Sequence, residues 1–582
     1  MTLGLTSVTF RDKSPQAIID LALANGLTEI EWGADVHVPA GDEAIAKAVK
    51  TLCEEKEIKT PSYGSYFKGT SIEDFHPVLK SAVILEAKLI RIWAGRIPPE
   101  TITQLEFENL VSVLQDACDL AFDQGIALAL EYHRKSMTQT KEGALRLIKA
   151  VNRTNLKCYW QPNPEVAFEE QLKEIQAIGP YITTFHVFNW SADNTRFLLD
   201  ENDGLRKWRA YAAQARLVGA NPNFLIEFVK EDTVESFEAD ALTLKTIAQK
   251  PLALLMGKPF EIERVYAPSV LKQIRTLYDL PDLIITNDNW NENLDRLKKA
   301  LVIFSTWGML KIDEEAIQNA LPNLEAVFYA AGSVHGFARP LIDQGIRIYS
   351  AADANAIPVA QWVSAQILLA NKGFFQHSQA KSRLEFDRDR ADANAFPGNK
   401  NVKVGLLGAG SVGRKVIQLL KDSEIELYVY DPYVDELTLE SLGAHKASLE
   451  FIFSSCQTIS NHIPDLPSTK GLLNRSLFEL MLPNAVFLNT GRGATVNETD
   501  LISILHENPD VMAILDVTSP EPPIEGSELY VLPNVILTPH LAGSLGQEVI
   551  RMAETMADEA QRFLLNQKTS TLVDPKSLAI KA

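Results

Sequence analysis

The feature that most constrains this fold is a glycine-rich turn set between an apolar strand and an amphipathic helix. Residues 402–407 read VKVGLL, Gly408-Ala409-Gly410-Ser411-Val412-Gly413 follows, and RKVIQLLK continues as a helical pattern. Glycine trios arise by chance in loops. Flanked by a strand and a helix, however, this spacing opens a βαβ unit that holds a dinucleotide. Gly408 permits the tight turn, Gly410 lets a pyrophosphate approach the backbone, and Gly413 lets helix and strand pack closely. The phosphates then meet the free N–H groups at the helix start, where Ser411 and Val412 stand. A second strand, Glu426–Tyr430, ends in Asp431, eighteen residues past Gly413. A carboxylate there accepts both ribose hydroxyls and repels a 2′-phosphate, which favours NAD over NADP.

Three further motifs carry polar residues downstream. They are Asn489-Thr490-Gly491-Arg492-Gly493, then Asp516-Val517 leading to Pro520-Glu521-Pro522, then Thr538-Pro539-His540. With these and with HIPDLPSTKGLLN at His462–Asn474, the stretch from about Leu252 to Leu565 resembles the D-isomer-specific 2-hydroxyacid dehydrogenases, most densely from Val402 to Gly543. The resemblance implies an NAD-dependent oxidoreductase acting on a 2-hydroxy or 2-oxo acid. Arg492 would fork onto the substrate carboxylate and carbonyl oxygen, as a planar guanidinium does. His540 would give a proton to the carbonyl oxygen as hydride arrives, and take it back in reverse. Glu521 would hold the imidazole in place and favour its protonated form. Asp516 would contact the nicotinamide carboxamide, with Pro464 and Thr490 also at the cofactor. Backbone N–H groups of Gly332, Ser333 and Val334 would receive the substrate carboxylate. Two departures stand out: Ala360-Gln361-Trp362 lacks the acidic residue common in that helix, and AAGSVHGFARP differs from the usual G-x-G-x-D-x-I-D loop. They leave subfamily and substrate size open.

The first 250 residues have a different rhythm. Short apolar runs begin at Leu3, Glu29, Ile58, Leu89, Ile126, Leu156, Ile182 and Phe224, with helical patterns between them, such as Pro15–Ala24 and Phe107–Asp123. Eight alternations over that length predict a (β/α)8 barrel, whose active site lies at the C-terminal strand ends. Those ends carry Glu131-Tyr132-His133, Trp160-Gln161, His186 and Glu227. Two carboxylates, an imidazole and an amide oxygen could bind Mn²⁺, Mg²⁺ or a similar divalent ion. This half resembles the xylose-isomerase-like barrels of the sugar phosphate isomerase/epimerase family. The resemblance implies the metal ligands Glu131, Gln161, His186 and Glu227, with Glu131 and Glu227 also moving protons next to a carbonyl. Where that family has Asp, this chain has Gln161, one negative charge fewer, which should weaken ion binding. Glu31, Arg91 and His133 also lie near strand ends and could touch substrate, while Trp93 and Trp160 read as packing residues.

The expected architecture is therefore α/β throughout: a TIM barrel over 1–250, a flavodoxin-like substrate domain over 251–353 completed by 541–582, and a Rossmann NAD domain over 354–540. Prolines in QKPLALLMGKP (249–259) mark the boundary. A long helix is expected from Pro358 to Phe375, a charged connection over Gln379–Asn401, a final amphipathic helix near Gly546–Leu565, and then an extended tail. A net charge of −19 and a pI near 5.1 disfavour nucleic acid and anionic membranes as partners. Four cysteines without a C-x-x-C pair, and no signal peptide or apolar span, point to a reduced cytoplasmic protein. A homodimer through the NAD domain is expected, with the helix at Pro358–Phe375 as its surface. The leading expectation is a bifunctional enzyme, an isomerase or epimerase joined to a dehydrogenase of a hydroxypyruvate- or glyoxylate-like acid. The competing expectations are a dehydrogenase with a dead barrel scaffold and a non-enzymatic NAD-sensing regulator.

Overall fold

The computed structural model describes residues 2–378 and 380–579. They fall into two compact units, one built mainly from the chain up to Pro251 and one mainly from Leu252 onward.

In the first unit eight parallel strands close into a barrel. They are β1 (Leu3–Thr6), β2 (Glu29–Gly33), β3 (Tyr63–Gly64), β4 (Leu89–Ile92), β5 (Ala127–Glu131), β6 (Leu156–Trp160), β7 (Ile182–Val187) and β8 (Asn223–Ile226). The ring closes where Leu3, Gly4 and Leu5 pair with Phe224, Leu225 and Ile226. Helices cover the outside, so the strands are buried on both faces and read as continuous apolar runs. Gly4 is needed at the seam, because a Cβ there would lie 2.2 Å from the Glu29 carbonyl oxygen. The third strand is shorter than its apolar run suggested. Lys59 makes only an isolated bridge to Glu29, and Pro61, which has no N–H, interrupts the ladder before Tyr63. Helix starts are fixed by side-chain caps. At the long helix Gln104–Asp123, Thr103 and Glu106 bond each other's backbone in a capping box.

The second unit holds two parallel sheets. The first comprises β9 (Ala253–Met256), β10 (Ile284–Ile285), β11 (Val302–Ser305), β12 (Ala326–Tyr329) and β13 (Arg347–Ser350), in the order β10-β9-β11-β12-β13. The second comprises β14 (Lys403–Leu407), β15 (Glu426–Tyr430), β16 (His445–Lys446), β17 (Thr458–Asn461), β18 (Val486–Asn489), β19 (Met512–Leu515) and β20 (Val535–Leu537). Its order, β16-β15-β14-β17-β18-β19-β20, reverses direction between β14 and β17. In such sheets ligands bind in the crevice outside the carboxyl ends at that reversal. Successive residues face opposite cores: Val486 and Leu488 pack with Val404 and Val429, while Phe487 packs with Ile459 and Phe453 on the other side.

Three further elements differ from expectation. The long helix runs Ala352–Ala370 and takes Pro358 inside it; the proline costs one backbone bond and does not mark the start. The charged connection contains a helix, Arg383–Asp392, started by Ser382 accepting from the Glu385 N–H. It buries none of its residues, so no apolar stripe announced it. The tail is partly paired: Leu572 bridges Tyr349, and the Val573 N–H donates to the Ile348 carbonyl oxygen at 2.8 Å.

Candidate active sites

The barrel brings together the four residues that the sequence placed at the ends of β5 to β8. One ligand atom from each of Glu131, His186 and Glu227 lies within 4.8 Å of the others, and all three residues are buried. Gln161 joins them: its Nε2 is 3.4 Å from Glu131 Oε1 and its Oε1 is 3.3 Å from His186 Nδ1. His186 Nδ1 also lies 3.2 Å from Glu227 Oε2, and its buried Nε2, without an aligned hydrogen bond, lies 3.6 Å from Glu31 Oε1.

A second layer holds this group from below. Arg91 on β4 pairs with Glu131 through Nη1 and with Glu31 through Nε at 3.0 Å. Glu31 also accepts from the Ser62 and Tyr159 hydroxyls, each at 2.8 Å. Burial alone would raise the Glu31 carboxyl, but the Arg91 charge and the bonds from His186 and Tyr159 override it and hold it down to about 2. Burial likewise opposes a charged His186, yet Glu227 and Glu31 lift it to about 10. Three carboxylates and one guanidinium leave two net negative charges whenever the imidazole is neutral, the charge that a divalent cation would balance. Also near strand ends, His133 stacks on Trp93 at 4.4 Å, and the Lys68 ammonium lies 4.6 Å from the same ring. Trp160 is fully buried against Phe185, Trp208 and Tyr211.

In the second unit the carboxyl ends of both sheets face a cleft of 1810 Å³. Gly332, Ser333 and Val334 line it from the five-stranded side. Gly408 to Gly413, Asp431, Pro464, Thr490, Arg492, Asp516 and His540 line it from the other. The glycine turn has the shape its sequence demands. Gly408 takes φ +104°, a Cβ on Gly413 would sit 2.1 Å from the Gly408 oxygen, and one on Gly410 would meet nothing within 4 Å. The turn is thus closed on the helix side and open where a pyrophosphate would approach. Asp431 Oδ2 accepts from the Ala409 N–H at 2.8 Å, and its Oδ1 accepts from Tyr433 and Val434 at 2.8 and 3.1 Å. The carboxylate therefore fixes the glycine turn as well as facing the cleft.

His540 Nδ1 lies 2.8 Å from Glu521 Oε1, leaving Nε2 as the nitrogen available to the cleft. Asp516 organises this loop. Its carboxylate accepts from Thr538 Oγ1 (2.7 Å), Leu541 N (2.6 Å) and Ala542 N (3.0 Å). Arg492 uses Nη1 on the Gly491 carbonyl oxygen at 2.8 Å, which leaves the rest of its fork for a ligand. Two features escaped the sequence reading. His462, half-buried just after β17, is pushed down to about 4 by desolvation and bonds Ser460 and Thr490 through its two nitrogens. Glu261, Arg264 and Trp307 also line the cleft; the first two share the helix Pro259–Val265, and Trp307 comes from the loop after β11, more than forty residues later.

Fold and sites together define the class: a dinucleotide-binding α/β unit with a second substrate-facing sheet, joined to a TIM barrel. Comparison with known proteins narrows it. Residues 364–542 match the family described as D-isomer specific 2-hydroxyacid dehydrogenase, NAD binding domain, and residues 19–244 match the xylose isomerase-like TIM barrel family. The chain therefore carries a xylose isomerase-like barrel followed by a D-2-hydroxyacid dehydrogenase NAD-binding domain. Among curated proteins it is 36% identical over 209 residues to YoaD of Bacillus subtilis (strain 168), named for the 2-hydroxyacid dehydrogenases; the match spans 34% of this chain and 59% of that one. It is 27% identical over 285 residues to D-3-phosphoglycerate dehydrogenase of Methanocaldococcus jannaschii, spanning 49% and 53%. The chain thus spans about half the length of the curated relatives it matches. Among solved structures, the apo D-mandelate dehydrogenase of Rhodotorula graminis aligns at 20% identity and TM-score 0.48, over 56% of this chain and 98% of that one.

Proposed function

We propose that the chain is a bifunctional enzyme: an NAD-dependent reductase of a 2-oxo acid, joined to a divalent-metal-dependent sugar or sugar-phosphate isomerase or epimerase. The observation that carries the first half is that Arg492 and the His540–Glu521 pair share one cleft with the glycine turn. Bound NADH supplies the hydride. Arg492 forks onto the substrate carboxylate and carbonyl oxygen, and the backbone N–H groups of Gly332 to Val334 take the other carboxylate oxygen. His540 gives a proton from Nε2 to the carbonyl oxygen, and Glu521 on Nδ1 fixes the ring's orientation and tautomer. Asp516 holds the His540 loop and would contact the nicotinamide carboxamide. Ser411, Val412, Pro464 and Thr490 line the cofactor path, and Asp431 selects NAD over NADP. In this reading the substrate domain is 251–353 completed by 541–582, and the NAD domain is 354–540. Hydroxypyruvate and glyoxylate are the substrates tried first, as NADH-oxidation assays on the protein and on His540→Ala. Turnover of no 2-oxo acid, with NAD still bound tightly, would point instead to an NAD-sensing regulator.

For the barrel, support comes from the buried Glu131–His186–Glu227 group and its charge balance. Glu131, Gln161, His186 and Glu227 would hold the ion, which would polarise a substrate carbonyl. Glu131 and Glu227 would then carry protons to and from the adjacent carbon. Protein without stoichiometric metal, or with activity indifferent to chelator, would make the barrel a scaffold.

A cytoplasmic homodimer completes the proposal. All four cysteines are buried and free, and no helix among the described residues is long and apolar enough to cross a membrane. The surface offered to a second copy is the segment Pro358–Phe375, on which Leu369 and Phe374 are exposed.

A further inference from the structure

We infer that the dehydrogenase cleft selects 2-oxo acids whose chain continues past the reacting carbonyl as hydroxylated, unphosphorylated carbons, read by Glu261 and Arg264 braced on Trp307. The inference rests on the proposed 2-oxo acid chemistry of this cleft. Arg492, His540 and the Gly332 loop account for the carboxylate and the reacting carbonyl. On the five-stranded side the same cleft is also lined by Glu261 and Arg264 of the helix Pro259–Val265 and by Trp307 of the loop that follows β11.

The geometry of that wall is built. The Arg264 guanidinium lies 5.0 Å over the Trp307 ring, with its Nη2 2.7 Å from Glu261 Oε2. Trp307 packs in turn on the core of the five-stranded sheet. A guanidinium resting on an anchored ring with one edge on a carboxylate has little freedom left. The ion pair is not aligned as a hydrogen bond, so Glu261 Oε2 is buried without a donor. Arg264 has N–H groups to spare. Acceptor and donors side by side complement hydroxyls, each of which gives and takes a hydrogen bond. An aliphatic tail would leave both groups unsatisfied, at a cost to binding.

Charge separates the hydroxylated tail from a phosphorylated one. A phosphate dianion calls for cations not already cancelled. On this wall Arg264 is balanced by Glu261, and Asp353 and Asp574 add negative charge to the cleft. Arg414, Lys415 and Lys421 follow the glycine turn and belong to the cofactor side. Arg339, bound to Asp343 at 2.9 Å, and Lys576 line the neighbouring 550 Å³ cavity and not the cleft, Leu578 being the residue the two share.

The test compares kcat/KM with NADH for glyoxylate, 3-phosphohydroxypyruvate and 2-ketogluconate on the full chain. The ketogluconate is expected to exceed both others by about tenfold or more. Glu261→Gln and Arg264→Leu should each lower the ketogluconate-to-glyoxylate ratio about tenfold, chiefly through KM, with NADH fluorescence confirming that each variant still binds cofactor. Equal or better use of glyoxylate, a preference for the phosphorylated acid, or an unchanged ratio in both variants would overturn the inference alone. Turnover of none of the three would instead strike the 2-oxo acid reading beneath it.

Discussion

His540 points its Nδ1 at Glu521 Oε1, 2.8 Å away, from a backbone held at φ +55°. A left-handed histidine is strained unless its surroundings fix it. Here they do: the His540 N–H donates to the Asp516 carbonyl oxygen at 3.1 Å, and the Asp516 carboxylate takes the next two N–H groups. Glu521→Gln keeps the shape but removes the charge that orients the ring. It should lower kcat by about 10²-fold or more, as should His540→Asn, with NADH affinity within a few-fold of the parent. Stopped-flow reduction of a 2-oxo acid measures this; a His540→Asn enzyme retaining most of its rate would place the proton donor elsewhere.

The two glycines of the turn should fail in different ways. A methyl on Gly413 would lie 2.1 Å from the Gly408 oxygen, so Gly413→Ala should lower the melting temperature as well as cofactor binding. Gly410 has free space around its Cβ position. Gly410→Ala should melt with the parent yet bind NADH at least about tenfold more weakly, because the methyl occupies the pyrophosphate's approach. Calorimetry and fluorescence titration separate the two; a Gly410→Ala protein with parental NADH affinity would count against a pyrophosphate there.

Metal occupancy of the barrel gives a third test. His186→Ala should abolish binding of one Mn²⁺ per chain, read by elemental analysis after dialysis. Gln161→Asp adds a carboxylate between Glu131 and His186 and should tighten Mn²⁺ about tenfold. No Mn²⁺ in the parent and no gain in Gln161→Asp would leave the carboxylates balanced by Arg91 and a protonated His186 in place of a metal.

The fourth concerns pH. Burial pushes the Glu174 carboxyl up to about 7, despite a bond from Trp160 Nε1 at 3.2 Å. Its unfolded value is lower, so the folded barrel binds the extra proton between the two. Stability is therefore greatest below the unfolded value and is lost as pH rises through about 7, by an amount on the order of 3 kcal/mol. Glu174→Gln should flatten the fall in melting temperature between pH 5 and pH 8. Asp240, also pushed up to about 7 by burial, keeps a slope of the same sign. An unaltered slope in Glu174→Gln would mean that the carboxyl is ionised in the folded barrel.

Much of this molecule was legible in its sequence because the informative residues sit at strand ends. Glu131 closes β5, His186 lies near the end of β7, and Glu227 follows β8, so eight apolar runs sufficed to align them. The glycine turn and Asp431 were readable for the same reason, each being the first polar punctuation after an apolar strand. What stayed hidden depends on contacts across the chain. Nothing near Arg91 announces that it joins Glu31 to Glu131, and nothing near Arg264 announces Trp307. The helix Arg383–Asp392 escaped because an exposed helix held by its cap and by pairs such as Arg383–Asp387 needs no apolar stripe.

The returning segment at Thr571–Val573 has a consequence for how the molecule is made. Ser350 and Ile348 of β13 bond with Thr571 and Val573, backbone translated more than two hundred residues later. At roughly 5–20 residues per second, β13 waits tens of seconds on the ribosome with an unpaired edge. An open edge of that kind is a template for another nascent chain. Yield of the folded dehydrogenase half should therefore depend on how densely ribosomes load the message, a sensitivity that the barrel shares, because β1 waits a similar length of chain for β8 to close the ring.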